Sequence, residues 1–546
     1  MRVVLLLVVL VACVAAVKAQ NVNFSSSNLP IIVLKTNGGT IVDDPKIVVD
    51  MGIIDNGPGN RNNVTDPYTL YDGKIAIEIR GSSSQMFPKK QYSIELRAAN
   101  GEDDNELSLF GMPKEGDWIL FAPYNDKTLV RDALSYHLGR SMGDYASRSR
   151  YFELVLNDEY MGVYVFFEKV KRGKNRVNID KLSEDETTGD NLTGGYILKI
   201  DKTTGGDGSG FNSLHAPPDA TKGQKVYFQF EYPKGEDIVT AQKTYIQNYV
   251  KQFEDALASD QYNDPNTGWT KYADMSSFVD YLIMNELTKN PDAYRLSTFI
   301  YKKKDSDGGK LFMGPIWDFN LGFGNVNYCT QGTPTGLVID FNSICPEDGW
   351  QIPFWWKKLW SDATFRVALT DRWTSLRQNK FSNASVLGYV DSLTTVLNVE
   401  AQQRNFQRWP VLGVYVWPNY RFDIATYNGE VAWLKTWIQD RMSYLDATFN
   451  FSITGVNEKL SQNVIVNAFP NPFDREVLID YEIPSPGETR IEIFDVLGRI
   501  VSGTVNNHGE AGRYSTQAVV AGSPGFYLYK VTHNGGKAVT GKLYRK

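Results

Sequence analysis

The sequence predicts an α+β protein with a β-rich first half, a helical second half and a small all-β unit at the C-terminus. Three observations carry this. From Lys74 to Arg80 apolar and charged residues alternate, the period of a half-buried strand. From about Asp237 the apolar spacing changes to that of helices. After Phe451 strand-like runs return, with turn residues between them. The 546 residues exceed the size at which one hydrophobic core keeps growing, so two or three domains are expected. A net charge of −6 offers no basic footprint, which excludes nucleic acid as an expected partner.

The elements follow in order. Arg2, the apolar run Val3 to Val11 and the small residues before Gln20 make a secretory signal over residues 1–19. Leu10-Val11-Ala12-Cys13 offers a lipoprotein box as an alternative; the longer apolar run favours cleavage after Ala19. No other stretch is long and apolar enough, so no transmembrane span is expected after cleavage. Ile31 to Leu34 and Ile41-Val42 read as a hairpin around Asn37-Gly38-Gly39. Arg80 to Leu96 reads as strand, serine-rich turn and strand, and Thr128 to Met142 as a helix. Phe152 to Leu156 and Gly162 to Glu168 form a second hairpin. Helical periodicity then covers Ile238 to Leu257, Met275 to Lys289, Phe354 to Arg377 and Val431 to Thr448. Without Cys13, two cysteines remain, Cys329 and Cys345; outside the cytoplasm such a pair is expected to form a disulfide.

The chemistry concentrates in one aromatic-rich stretch. It runs Asn290-Pro291-Asp292-Ala293-Tyr294-Arg295-Leu296-Ser297, then a strand and turn, then Gly314-Pro315-Ile316-Trp317-Asp318-Phe319-Asn320. A β-hairpin between the two aspartates can bring both to one end of a sheet. A carboxylate, an oxygen ligand five residues on, a hairpin and a second carboxylate before an aromatic is how kinase-type phosphotransferases place a base and a magnesium site. Asp292 is the expected catalytic base, and Asp318, with Ser297 and Asn320, the expected metal site. Arg80, Lys89 and Lys90, at the two ends of the serine-rich turn, are the expected phosphate-binding cations. Glu168 ends a strand as the strand before a kinase hinge does, or holds a lysine by an ion pair. A β-rich lobe, a helical lobe and an acidic site at their junction give a two-lobed kinase outline. No phosphate-binding P-loop motif, zinc spacing or Gly-x-Ser-x-Gly elbow is present. Paired carboxylates also suit a glycosidase, which leaves the basic turn and the five-residue spacing unexplained.

Arg80 to Leu96, Asp117 to Arg131, Asn157 to Glu168 and Asp292 to Gly324 together resemble the spore-coat-protein-H (CotH) kinase family, over residues 20–452. The resemblance implies ATP, Mg²⁺ or Mn²⁺, and transfer of the γ-phosphate to hydroxyl side chains of a secreted or surface protein. It places Asp292 as the catalytic and Asp318 as the metal aspartate; Asn320 stands where many relatives carry a second aspartate. Residues 456–546 contain Phe469-Pro470-Asn471-Pro472-Phe473, Phe494-Asp495-Val496-Leu497-Gly498-Arg499 and Gly525-Phe526-Tyr527. This unit, patterned as a small β-sandwich, is similar to the C-terminal sorting domain of the type IX secretion system of Bacteroidetes. That similarity implies the type IX machinery as a partner and a secreted or outer-membrane cell-surface location. Two other functions stay open: a non-catalytic adhesin or polysaccharide binder on a pseudokinase scaffold, with Trp409 to Trp417 stacking on sugars, and another nucleotide-dependent transferase.

Overall fold

The computed structural model describes residues 19–546 apart from 205–207, 399, 451–464, 484, 497 and 535–537. The expected signal segment, except Ala19, and the expected junction near 452–456 lie outside the described residues. The chain divides into two compact units, Met1–Phe451 and Ser452–Lys546.

Seven strands open the first unit: β1 (Ile31–Lys35), β2 (Ile47–Ile54), β3 (Tyr71–Ile79), β4 (Tyr92–Leu96), β5 (Asp117–Phe121), β6 (Ser149–Leu156) and β7 (Glu159–Glu168). They form a closed barrel in the order β1-β2-β3-β4-β5-β7-β6. A parallel pairing of β1 with β6, Val33 opposite Val155, shuts it and leaves no free edge. The two-residue period sorts the side chains. Ile32, Leu34, Ile75, Ile77, Trp118, Leu120, Tyr164 and Phe166 share one cluster. Ile119, Phe121, Val163, Val165 and Phe167, on the other face, join a second and larger cluster with α1 (Arg131–Met142). This explains why β7 reads as a continuous apolar run: both its faces are buried.

The helix between β5 and β6 is where the periodicity put it. The first hairpin is not: β1 pairs with Ile47–Ile54, and Ile41-Val42 lie outside any strand. Asp43-Asp44-Pro45 intervenes, and proline has no N–H for a ladder, so pairing starts after it.

A second sheet occupies the middle of the chain: β8 (Tyr196–Ile200), β9 (Gly210–Asn212), β10 (Tyr227–Tyr232), β11 (Thr298–Lys302) and β12 (Leu311–Met313), in the order β9-β10-β8-β11-β12. Around it lie α2 (Thr240–Ala258), α3 (Met275–Thr288), α4 (Trp355–Ser361), α5 (Ala363–Arg377), α6 (Asn383–Asn398), α7 (Ala401–Arg408) and α8 (Tyr427–Thr448). All residues of α3 from Tyr281 to Thr288 are buried, as befits a central helix. The helix expected over Phe354 to Arg377 is two, broken at Asp362. The Asp362 carboxylate accepts the Thr364 and Phe365 N–H groups and so caps the second.

The second unit holds β13 (Ile465–Phe469), β14 (Glu476–Ile483), β15 (Gly487–Asp495), β16 (Ile500–His508), β17 (Gly512–Val519), β18 (Gly525–His533) and β19 (Val539–Arg545). They make two antiparallel sheets, β13-β14-β17 and β16-β15-β18-β19. Val477, Ile479 and Tyr481 of the first share a core with Ile491, Ile493, Val531 and Leu543 of the second.

Candidate active site

The β11–β12 hairpin brings the two aspartates together. Ile300 pairs with Met313. Asp292 lies in the turn before β11, and Asp318 in the segment after β12. The Asn290 side-chain amide donates to the Asp318 carbonyl at 3.1 Å, tying the two segments directly. The Asp318 N–H donates to the Tyr136 hydroxyl at 3.1 Å, and the Phe319 N–H to Asp132 Oδ1 at 2.8 Å. Both partners sit on α1, so the barrel's helix and the Asn290 turn clamp the aspartate from either side. Asp318 itself has φ 63°, a left-handed conformation that costs a non-glycine residue energy and persists where surrounding contacts enforce it. Ser297 (φ 47°) and Tyr294 (φ 69°) share that feature.

The electrostatics show which charges face one another. Burial first, then the negative charge of Asp292, raises the Asp318 carboxyl to about 6; Asp201 adds to this, while Arg80 and Lys202 oppose it. The Asp318 carboxylate accepts no hydrogen bond among the described residues. Burial also raises Asp201, just after β8, and Asp292 raises it further, while the nearby Lys199 and the Lys202 and Ser297 backbone oppose this. Arg80 lies over the Trp317 ring at 5.9 Å, and Trp317 stacks on Tyr136 at 5.7 Å. Burial lowers the Arg80 pKa, and the attraction of Asp318 opposes that. Thr204, two residues after Lys202, donates to Ser82 of the serine-rich turn at 3.5 Å. The acidic centre is thus flanked by cations from two different sheets.

Asp292 is oriented by a buried arginine. Arg295 Nη2 meets Asp292 Oδ1 at 3.0 Å, Nη1 meets Asp348 Oδ1 at 3.0 Å, and Nε donates to the Pro291 carbonyl at 2.9 Å. Its guanidinium lies 4.0 Å over Phe341. A planar fork held at three points fixes the carboxylate it grips. Asp348 follows the Cys329–Cys345 disulfide by three residues, so the cross-linked loop supports the same network.

Of the expected site residues, Asp292, Asp318, Ser297 and Arg80 belong to this network. The Asn320 amide nitrogen donates to Asn125 at 3.2 Å, within a set of asparagines that includes Asn325 and Asn419. Two expectations, Lys89 and Glu168, are corrected. Lys89 is 2 % exposed, and its ammonium donates to the Val163 carbonyl at 2.6 Å and Asn405 Oδ1 at 2.8 Å. It pins α7 to β7 and is closed to phosphate; burial drives its pKa well down. Lys90 donates to the Gln85 carbonyl at 2.5 Å, across the serine-rich turn. Glu168 is wholly buried, paired with Arg148 at 2.8 Å and Arg176 at 3.2 Å, as a structural ion pair that involves no lysine. Sequence reasoning missed Asp201, Lys202, Tyr136 and the role of Arg295. Only Arg295 had a local signal, three residues after Asp292 in one turn.

The donor set fits a divalent cation. Asp292 and Asp201 both raise the Asp318 pKa, and the Asp318 carboxylate, with no protein donor among the described residues, is left open to a cation. Among the described residues no three His, Cys, Asp or Glu side chains form a preformed cage. Magnesium asks for only one or two carboxylates, with phosphate and water completing the shell.

Comparison with known proteins places this geometry. Residues 77–445 match the family described as CotH kinase protein, and residues 467–544 match the secretion system C-terminal sorting domain. The first match spans more than half of the chain: this protein belongs to the CotH kinase family. Its tail is a type IX sorting domain, so the protein is secreted or attached at the cell surface. Among the described residues no helix is long and apolar enough to cross a membrane. No curated protein matches the chain. Solved structures with local similarity include dimeric latent PorU from Porphyromonas gingivalis (22% identity, 16% of this chain and 10% of that one, TM-score 0.15). Another is the alkylpurine DNA glycosylase AlkC of Pseudomonas fluorescens (11% identity, 38% and 63%, TM-score 0.12). The chain spans less than two thirds of either.

Proposed function

We propose that this protein is an atypical protein kinase that transfers the γ-phosphate of ATP to hydroxyl side chains of secreted or surface proteins. On this reading the first unit is a two-lobed kinase, barrel lobe against helical lobe, and the tail a β-sandwich engaged by the type IX machinery. The observation that carries it is the convergence of Asp318, Asp292 and Arg80 at the open end of the β11–β12 hairpin. Asp318, with Asp201 or Ser297, would hold Mg²⁺ or Mn²⁺, which supplies neutralisation of charge on the phosphates. Arg80 and Lys202 bring positive charge to the same place. Asp292, fixed by Arg295, orients the acceptor hydroxyl and takes its proton.

Incubation of the mature protein with γ- or α-labelled ATP and Mg²⁺ or Mn²⁺, beside Asp318→Ala, tests this. Incorporation of the γ label alone, lost in the variant, is expected. Incorporation of the α label replaces the proposal with nucleotidyl transfer. A polysaccharide-binding reading has one observation in its favour: Tyr415, Trp417, Tyr420 and Phe422 are exposed. No nucleotide binding, together with retention on a glycan column, would establish it instead.

A further inference from the structure

One face of α1 is fitted to the segment that carries Asp318. Asp132, Tyr136 and Gly139 stand at helical spacing and form one stripe of the helix. The stripe meets the segment in reverse order. Asp132 Oδ1 accepts the Phe319 N–H at 2.8 Å, and the Tyr136 hydroxyl accepts the Asp318 N–H at 3.1 Å. A Cβ on Gly139 would come within 2.8 Å of the Ile316 side chain, so helix and segment touch there. Arg131 Nε adds a bond of 3.1 Å to the Gly322 carbonyl.

Tyr136 touches both halves of the site. It is buried, and its ring stacks on Trp317 at 5.7 Å with 16° between the planes. Trp317 in turn carries the Arg80 guanidinium at 5.9 Å. Phe167 of β7 meets the Tyr136 ring edge-on at 5.1 Å and holds it from the barrel side. The hydroxyl of the same side chain serves the N–H of the one residue in the segment, Asp318, whose φ of 63° costs energy. Such a conformation persists only while its contacts enforce it. Without the hydroxyl a buried N–H is left unpaired. Rotation toward an ordinary φ then relieves both penalties and swings the carboxylate away.

We propose that Tyr136, with Asp132 beside it, is a positioning residue of the acidic site. Its hydroxyl fixes the Asp318 carboxylate toward a divalent cation, and its ring fixes the Trp317–Arg80 stack next to it. One buried side chain thereby sets the spacing between the metal carboxylate and a phosphate-facing cation. Asp132 ties the following residue, Phe319, in the same manner. The proposal rests on the metal role given to Asp318 above, and it adds which residues of the barrel's helix hold that role in place.

Binding of the Mn²⁺ complex of β,γ-imido-ATP, which transfers no phosphate, tests it. The readout is the water-proton relaxation of the bound ion, taken with the mature protein at a temperature where each variant is folded. Wild type should bind the complex, and Asp318→Ala should lose it. Tyr136→Phe removes the hydroxyl and keeps the stack, and it should bind about 10-fold more weakly, in line with one buried hydrogen-bond partner removed. Tyr136→Leu removes the stack as well and should bind more weakly again. A merely structural role would lower the melting temperature and leave the affinity of the folded protein unchanged, and that outcome overturns the proposal. Equal affinities in the Phe and Leu variants overturn the part given to the ring. No binding by wild type overturns the metal reading of Asp318 and this proposal with it, whereas equal binding by wild type and Tyr136→Phe overturns the proposal alone. If Tyr136→Phe fails to fold, Asp132→Ala cuts the neighbouring tie, and an affinity unchanged in that variant overturns the proposal.

Discussion

Asp318 holds its carboxylate under strain of two kinds, a left-handed backbone and a crowd of like charges. The folded carboxyl titrates near 6 against an ordinary 3.8, so the folded state binds this proton more tightly than the unfolded chain. The cost of the ionised form is therefore fully present above about pH 6 and disappears as pH falls toward 3.8. Its ceiling is about 3 kcal/mol, reduced to roughly 1–2 for a side chain partly open to solvent. Asp318→Asn should thus melt above wild type at pH 8 in metal chelator, with the difference closing by pH 4. A variant that melts below wild type at pH 8 would show the charge to be compensated. Arg295 acts on the other aspartate. Arg295→Lys keeps the charge and loses the fork, so label transfer should fall roughly 10-fold or more through misplacement of Asp292. The check is single-turnover phosphorylation beside a Tm measurement. Of these residues, Asp292 and Asp318 were legible because spacing and a hairpin connect them. Asp201 was not, because nothing local separates it from any other strand-end aspartate. Lys89 and Lys90 looked equivalent, and only the barrel wall decided that one turns inward.

At the scale of elements, the loop after β12 is held from three directions. Cys329 and Cys345 cross-link it, with a sequence separation of 16. Lys289 donates to the Thr330 and Thr333 carbonyls at 2.9 and 3.0 Å. Arg441 of α8 reaches the Pro334 and Gly336 carbonyls at 2.9 and 2.6 Å and pairs with the buried Glu286 at 3.1 Å. Closing a loop of this length is worth about 3 kcal/mol through the entropy of the unfolded chain. Replacing both cysteines by serine should lower stability by roughly 2–4 kcal/mol. It should also loosen Asp348 and, through Arg295, Asp292. Denaturant unfolding reads the first effect, and phosphorylation in the presence of saturating denaturant-free substrate reads the second. Equal stability with and without reductant would sink the claim. The disulfide was legible from two cysteines in a secreted chain. The cations inside the loop were not, since nothing local in the sequence ties Lys289 or Arg441 to carbonyls of that loop.

For the whole molecule, the two units have separate cores. The cluster containing Phe449 ends there, and the core of the second unit begins at Phe473. A protein ending at residue 450 should therefore keep the melting transition of the first unit within about 1–2 °C, since distant, independent sites add. In a host with a type IX apparatus it should be retained in the periplasm while the full chain reaches the surface. Scanning calorimetry and fractionation measure the two outcomes. A large fall in the first transition would mean that the tail stabilises the first unit.

Local order was in the sequence. The strand period, the helix between β5 and β6, the hairpin that carries the two aspartates and the sorting tail all depend on neighbours close along the chain, where propensity and turn chemistry act. Tertiary structure decided barrel closure, because it needs Val33 beside Val155, residues with no local relation. It decided also which cations face the acids and which are buried as struts, because burial and charge depend on what the rest of the chain brings near. The family follows from the local patterns. The composition of the site, Asp201, Lys202 and Arg295 joined to Asp292 and Asp318, follows only from the fold.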